Sequence, residues 1–229
     1  MANVLITGTN RGIGLEFVEQ FLSRGDAVFA TCRNPANAEA LQALASQHAS
    51  LKILQLDVSN PDSVATFPAQ LEGAAIDIFV NNAGIYGSRE GFGKLNEDVW
   101  ANVFHVNSIA PVMLTQLLAD NLSRGSLKKL VYLTSKMGSI EDNQGGGSYI
   151  YRSSKAALNA AVKSLAIDLS GEGFSVGLLH PGWVRTDMGG PNGLIDTNTS
   201  VSGLMEVIDQ LNLKNSGSFF NYDGSIIPW

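Results

Sequence analysis

The stretch MANVLITGTNRGIGLEF, residues 1–17, opens with a short apolar run and breaks at a glycine-rich turn. Residues 3–6 read as a strand and residues 13–24 as a helix, with Gly8, Gly12 and Gly14 on the turn between them. Glycine permits a tight turn and lets backbone N–H groups approach a ligand closely. The helix N-terminus adds free donors and partial positive charge. The spacing is TGxxxGxG, not GxGxxG. As an ordinary βα turn it would carry no chemistry, but its place directly after the first strand points to a phosphate-binding turn.

Outward from this turn, short apolar runs alternate with helical stretches. Strands are expected at 3–6, 27–31, 51–56, 76–80, 130–134 and 175–179, with a weaker one at 218–222. Helices are expected near 13–24, 36–47, 61–71, 97–121 and 152–170. Continuous apolar runs such as IFV (78–80) and LVYL (130–133) fit strands buried on both faces. The alternation implies right-handed βαβ crossovers. The expected fold is therefore α/β: one doubly wound, Rossmann-like domain with a mostly parallel sheet of about seven strands and helices on both faces. Residues 1–130 would form its cofactor half, and 131–229 its catalytic and substrate half. Residues 140–148 and 189–200, rich in Gly, Ser and Asn, read as loops at the carboxyl ends of strands. That is where open α/β sheets bind ligands.

The second expected strand bears on the nucleotide. An acid at its end would hold a ribose 2′-hydroxyl, whereas an arginine suits a 2′-phosphate. The strand ends Thr31-Cys32-Arg33, and no acid follows until Glu39. Arg33 can form a charge-assisted, bidentate pair with a phosphate, and Arg11 in the turn could add a second cation. The weaker alternative is that both are solvated surface arginines. The expected cofactor is NADP(H).

Tyr151 and Lys155 stand four residues apart in YRSSK, on one face of a helix. A phenol titrates near pH 10, too high for acid–base work at neutral pH. A neighbouring ammonium, and the positive charge of an oxidised nicotinamide, should lower that value. The tuned phenol could then protonate a developing alkoxide or accept its proton in reverse. Tyr149 is a rival without a cation, since its i+4 partner is Ser153. Ser135, ending the LVYLT strand, could steady a substrate oxygen or simply shape a turn. Asn107, in HVNSIAP, is either a structural amide or the holder of a water that links Lys155 to solvent.

Taken in order, TGTNRGIG (7–14), NNAG (81–84), the serine of TSKMG (134–138), YRSSK (151–155) and PGWVRTD (181–187) resemble the short-chain dehydrogenase/reductase family. The resemblance runs from the first strand to about Asp187. Within the family it is strongest to the carbonyl-reductase-like branch that includes sniffer and C-factor proteins, through KMGSI (136–140) and NYDG (221–224). It implies that Tyr151 is the acid/base, that Lys155 tunes it and binds nicotinamide ribose, and that Ser135 orients the carbonyl. Asn107 would complete a proton relay. Gly8, Thr9, Asn10, Arg11, Gly12, Ile13 and Gly14 would cradle the cofactor. Asp57 and Val58 would lie at the adenine. Asn81, Asn82, Ala83 and Gly84 would line the adenine-ribose side. Pro181, Gly182, Val184 and Thr186 would cover the nicotinamide. The interval from Ser135 to Tyr151 is longer than usual for the family, the excess falling in EDNQGGGS (141–148).

Composition excludes other classes. A net charge of −6 argues against a nucleic-acid partner. Cys32 is the single cysteine, so a reducing cytoplasm is expected. No uncharged apolar run approaches the ~20 residues of a membrane span, and MANVLITG lacks the basic start of a signal peptide. His48, His105 and His180 have no metal-ligand spacing, so no metal is expected. GFSVG (173–177) matches a hydrolase elbow but sits between a helix and a following strand, the reverse of the order the elbow needs. Trp183 could cap a pocket or pack. The family further implies a homodimer or homotetramer.

The leading functional expectation is reduction of a small aldehyde, ketone or quinone, or oxidation of a secondary alcohol, with NADP(H). The alternative is an NADP(H)-binding sensor or signalling protein that works through a protein partner. A sugar-nucleotide epimerase would need a substrate domain for which no room follows Asp187.

Overall fold

The computed structural model describes residues 1–229. Seven strands, β1 (Asn3–Thr7), β2 (Ala27–Cys32), β3 (Leu51–Gln55), β4 (Ile78–Asn81), β5 (Lys129–Leu133), β6 (Ser175–His180) and β7 (Ser218–Asn221), form one sheet in the order β3-β2-β1-β4-β5-β6-β7. Every pairing is parallel, so the sheet is wholly rather than mostly so. Eight helices connect the strands: α1 (Gly12–Ser23), α2 (Glu39–Gln47), α3 (Pro61–Thr66), α4 (Glu97–Phe104), α5 (Ala110–Leu117), α6 (Ala119–Ser123), α7 (Tyr149–Asp168) and α8 (Thr197–Gln210).

Side chains alternate across each strand, and both faces are covered. Val4, Ile6, Val28 and Val80 meet Phe17 and Phe21 of α1 and Leu204 and Ile208 of α8. Leu5, Phe79, Leu130 and Tyr132 meet Leu114 of α5 and Leu158 and Val162 of α7. Successive strands are added outward in one direction from β1 to β3 and in the other from β4 to β7, so the order switches between β1 and β4 and opens a crevice at their carboxyl ends. No helix is long and apolar enough to cross a membrane.

Two sequence expectations need correction. The loop expected over 189–200 gives way at Thr197 to α8, whose Asp196 side chain caps the helix by accepting from Thr199 N at 2.8 Å. The cap is followed by VSGLMEVI, whose buried residues Val201, Leu204, Met205 and Ile208 recur at helical spacing. The single helix expected over 97–121 is broken by a π turn at His105–Ile109. Pro111 has no N–H for the Asn107 carbonyl four residues earlier, and the wider turn accommodates that loss.

Candidate active site

A cleft of about 730 Å³ runs along the carboxyl ends of the strands. Of the predicted residues, Gly8, Asn10, Arg11, Gly12, Ile13, Gly14, Arg33, Asp57, Val58, Asn82, Ala83, Gly84, Tyr151, Lys155, Pro181 and Thr186 line it. Thr9, Asn81, Asn107, Ser135, Gly182 and Val184 are not among the residues that line it.

The glycine turn is a backbone structure braced from outside. Gly8 holds φ +70°, and a Cβ there would stand 2.9 Å from Ala83 Cα. A Cβ on Gly14 would stand 2.2 Å from the Gly8 carbonyl oxygen. Asn82 Nδ2 donates to the carbonyls of Thr7 and Gly8, each at 2.9 Å. Asn82 N and Ala83 N donate to Thr7 Oγ1 at 3.1 and 3.0 Å. The buried Thr9 ties the turn to β2, its N and Oγ1 both donating to the Thr31 carbonyl. NNAG therefore shapes the turn as well as lining the cleft, except Asn81, which is buried within β4.

The open end of α1 fits an anionic group. Side chains of Asn60, Asn96 and Asp196 cap α3, α4 and α8, whereas α1, like α2, α5, α6 and α7, has no side-chain cap; α1 also has no acid in its first turn and opens onto the cleft. Its first N–H groups are left for a ligand. Arg33 is exposed and makes no ion pair. Arg11, by contrast, pairs across the cleft with Asp187 at 3.2 Å.

At the other end, side chains build the site. Tyr151 and Lys155 share one face of α7, both buried. Lys155 Nζ lies 5.9 Å from the centre of the Tyr151 ring and donates to the Leu133 carbonyl at 2.9 Å. A Cβ on Gly84 would crowd Asn107 Oδ1 at 3.2 Å and touch Lys155 Nζ at 3.6 Å, so the backbone here runs close to both groups. Ser135 caps the turn Lys136–Gly138, its Oγ accepting from Met137 N at 3.1 Å.

The π turn aims Asn107 inward. Its Oδ1 accepts from Ile85 N at 2.9 Å, and its Nδ2 donates to the Ile85 carbonyl at 2.8 Å and to Ser154 Oγ at 3.0 Å. Ser108 Oγ donates to the Ser154 carbonyl at 2.7 Å, and Trp100 Nε1 to Ser153 Oγ at 3.0 Å. The two serines of YRSSK thus lock α7 against α4 and the π turn. Thr134 Oγ1 and Asn159 Oδ1, 2.6 Å apart, do the same against β5.

Burial governs the electrostatics. It pushes Lys155 down to about 8 and Tyr151 up to about 12, with the Ser135 hydroxyl opposing the rise. In the protein alone the phenol is therefore raised, contrary to the expected lowering, because lost hydration of the phenolate outweighs its neighbours. Tyr149 lies at the rim, more than a third exposed, its ring 6.4 Å from that of the exposed Phe92. Trp183 packs its indole N–H onto the Gly189 carbonyl at 2.8 Å, which steadies the loop after β6. His180 ends β6, held down to about 4 by burial and then by Lys136. Sequence reasoning missed Tyr86, whose ring stacks on Tyr151. An aromatic two residues after NNAG was the available signal.

Known proteins resemble the chain in sequence and fold. A family model for short chain dehydrogenase matches residues 2–194. The C-signal of Myxococcus xanthus is 45 % identical over 154 residues, 67 % of this chain and 93 % of that protein. The carbonyl reductase Sniffer of D. melanogaster superposes with a TM-score of 0.95 at 35 % identity, covering 100 % of both chains. The NADPH-bound carbonyl reductase from chicken fatty liver does so at 0.94 and 35 %, covering 100 % of this chain and 99 % of that one. With that match over most of its length, a wholly parallel sheet and the glycine turn at its switch point, the chain belongs to the short-chain dehydrogenase family.

Proposed function

We propose that this protein is an NADP(H)-dependent oxidoreductase of the carbonyl-reductase type, acting on a small aldehyde, ketone or quinone, or on a secondary alcohol. The observation that carries the reading is a buried phenol–ammonium pair at one end of a cleft whose other end is an uncapped helix N-terminus. Bound NADPH supplies the hydride. The turn from Gly8 to Gly14 and the end of α1 would hold its pyrophosphate, and Arg33 its 2′-phosphate. Asp57 and Val58 would flank the adenine, and Pro181, Gly182, Val184 and Thr186 the nicotinamide side. Residues 1–130 then serve as the cofactor half and 131–229 as the catalytic half.

Tyr151 is the proton donor and acceptor. Held near 12 by burial in the protein alone, the phenol keeps its proton at Oη at neutral pH, and the positive charge of Lys155 and of an oxidised nicotinamide would have to lower that value for the proton to be exchanged readily in both directions. Ser135, whose hydroxyl favours the phenolate of Tyr151, would donate to the same substrate oxygen. Lys155, fixed by the Leu133 carbonyl, presents charge beneath the ring, and Asn107 orders the floor. The test is NADPH oxidation with a panel of carbonyls by wild type and Y151F. Turnover by wild type alone is expected, and cofactor binding without turnover on every compound would overturn the reading.

A second reading rests on the 45 % identity to C-signal: an NADP(H)-binding protein that signals through a protein partner. Four filled positions at 107, 135, 151 and 155 favour the enzyme, since a sensor has no chemical need of them. Exposed Ile109, Met113 and Leu117, spaced four residues apart along the helical segment of the π turn and α5, support a homodimer or homotetramer. The single free cysteine supports a cytoplasmic protein.

A further inference from the structure

The loop after β4 is built around one side chain that the proposed chemistry does not use. Ile85 is held through both of its backbone groups by the Asn107 amide, at 2.9 and 2.8 Å. Gly87, at φ +78°, passes so close to α4 that a Cβ would stand 2.6 Å from Val103 Cγ2. Between these fixed points Tyr86 lays its ring on that of Tyr151, with centroids 4.5 Å apart and planes 19° from parallel. Its hydroxyl shares a hydrogen bond of 2.9 Å with Ser148 Oγ. Ser148 has φ +45°, a strained conformation for a residue other than glycine, immediately ahead of α7. Over the Tyr86 ring, 4.6 Å from its centre, sits the Arg89 guanidinium, which also donates to the Met188 carbonyl at 3.2 Å.

We propose that Tyr86 is a positioning residue for Tyr151: it clamps one face of the phenol ring and keeps water from it, while the Asn107 amide and Arg89 hold the clamp in place. The inference rests on Tyr151 being the acid/base. Helix α7 fixes the backbone of Tyr151 but leaves its ring free to tilt; a stacked ring on a rigid loop removes that freedom. Tyr149 shows the contrast, two residues away on the same helix, paired only with an exposed phenylalanine and open to solvent. The ring of Tyr86 also covers surface through which water would otherwise hydrate a phenolate, so its loss should ease ionisation of Tyr151.

The test compares wild type, Y86F, Y86L and Y86A as full-length chains carrying carbon-13 at the tyrosine Cζ, with the Tyr151 signal assigned by its absence in Y151F. In wild type and Y86F the signal should remain that of a phenol at pH about 10, the ordinary tyrosine midpoint. In Y86A, and in Y86L whose volume is better matched, half or more of it should have ionised at that pH. With NADPH and a reducible carbonyl, Y86A and Y86L should lose kcat on the order of tenfold. NADPH affinity should stay within about twofold, and the ring alone in Y86F should restore most of the rate. A Tyr151 signal that titrates identically in all four chains overturns the proposal. The titration needs no turnover, so a wild type inactive on every carbonyl would sink the enzymatic reading and leave the clamp to be judged by the spectrum.

Discussion

The two ends of the cleft are built by opposite means. At β1–α1 the site is backbone, held in shape by Asn82 from beyond β4 and by the turn's own Thr9, which ties it to β2. At β5–α7 the site is side chains, buried and cross-linked through Asn107, Ser154, Ser108, Thr134 and Asn159. A pyrophosphate is recognised by donors any backbone can offer, provided nothing stands in the way. Proton transfer instead needs one particular group in one particular environment. The cradle should therefore fail when atoms are added, and the catalytic end when atoms are removed or its burial is relieved.

The most severe test of that contrast removes a single oxygen. Y151F should lower kcat by about 10²–10⁴-fold while NADPH still binds, read by steady-state kinetics and cofactor fluorescence. Comparable turnover in the variant would move the acid/base elsewhere. G14A tests the opposite end by adding one methyl. With the Gly8 carbonyl 2.2 Å from the new carbon, it should cost about 3 kcal/mol of stability and weaken NADPH binding. Thermal melts and titration that match wild type would mean the turn is not close-packed.

The third test concerns burial. Lys155 falls from 10.5 free to about 8 folded, so between those values the unfolded chain binds the extra proton. Stability should then rise with pH above 8, by on the order of 2 kcal/mol by pH 10, and K155M should flatten that rise. Above pH 10 Tyr151 acts with the opposite sign, since its raised value makes the folded state hold the proton. Denaturant melts across this window check both slopes, and parallel curves for wild type and K155M would show that the ammonium is not desolvated. The gentlest change is R33A, which should weaken NADPH about tenfold against NADH, because one exposed charge-assisted pair is lost. An unchanged ratio of the two affinities would remove Arg33 from phosphate recognition.

All seven strands and the first helix were legible within a few residues, because apolar runs and glycine breaks are local properties. So were the Tyr151–Lys155 spacing and the glycine turn, which follow from helix geometry and from the absence of a Cβ. The break at His105–Ile109 was hidden in an unbroken helical pattern, although Pro111 marked the missing donor. Helix α8 was hidden behind the Gly- and Asn-rich stretch that precedes its Asp196 cap.

Residue types and spacings along the chain determined a parallel α/β sheet, a glycine turn at its first crossover and a phenol one helical turn from an ammonium. Tertiary structure alone decided that Asn82 braces the turn, that Tyr86 lies on Tyr151, and that the phenol's pKa rises where its neighbours suggested a fall. Local pattern records what each residue can do. Burial and contact between distant segments set the free energy of charge and the angle of a ring, and both depend on the whole packed chain.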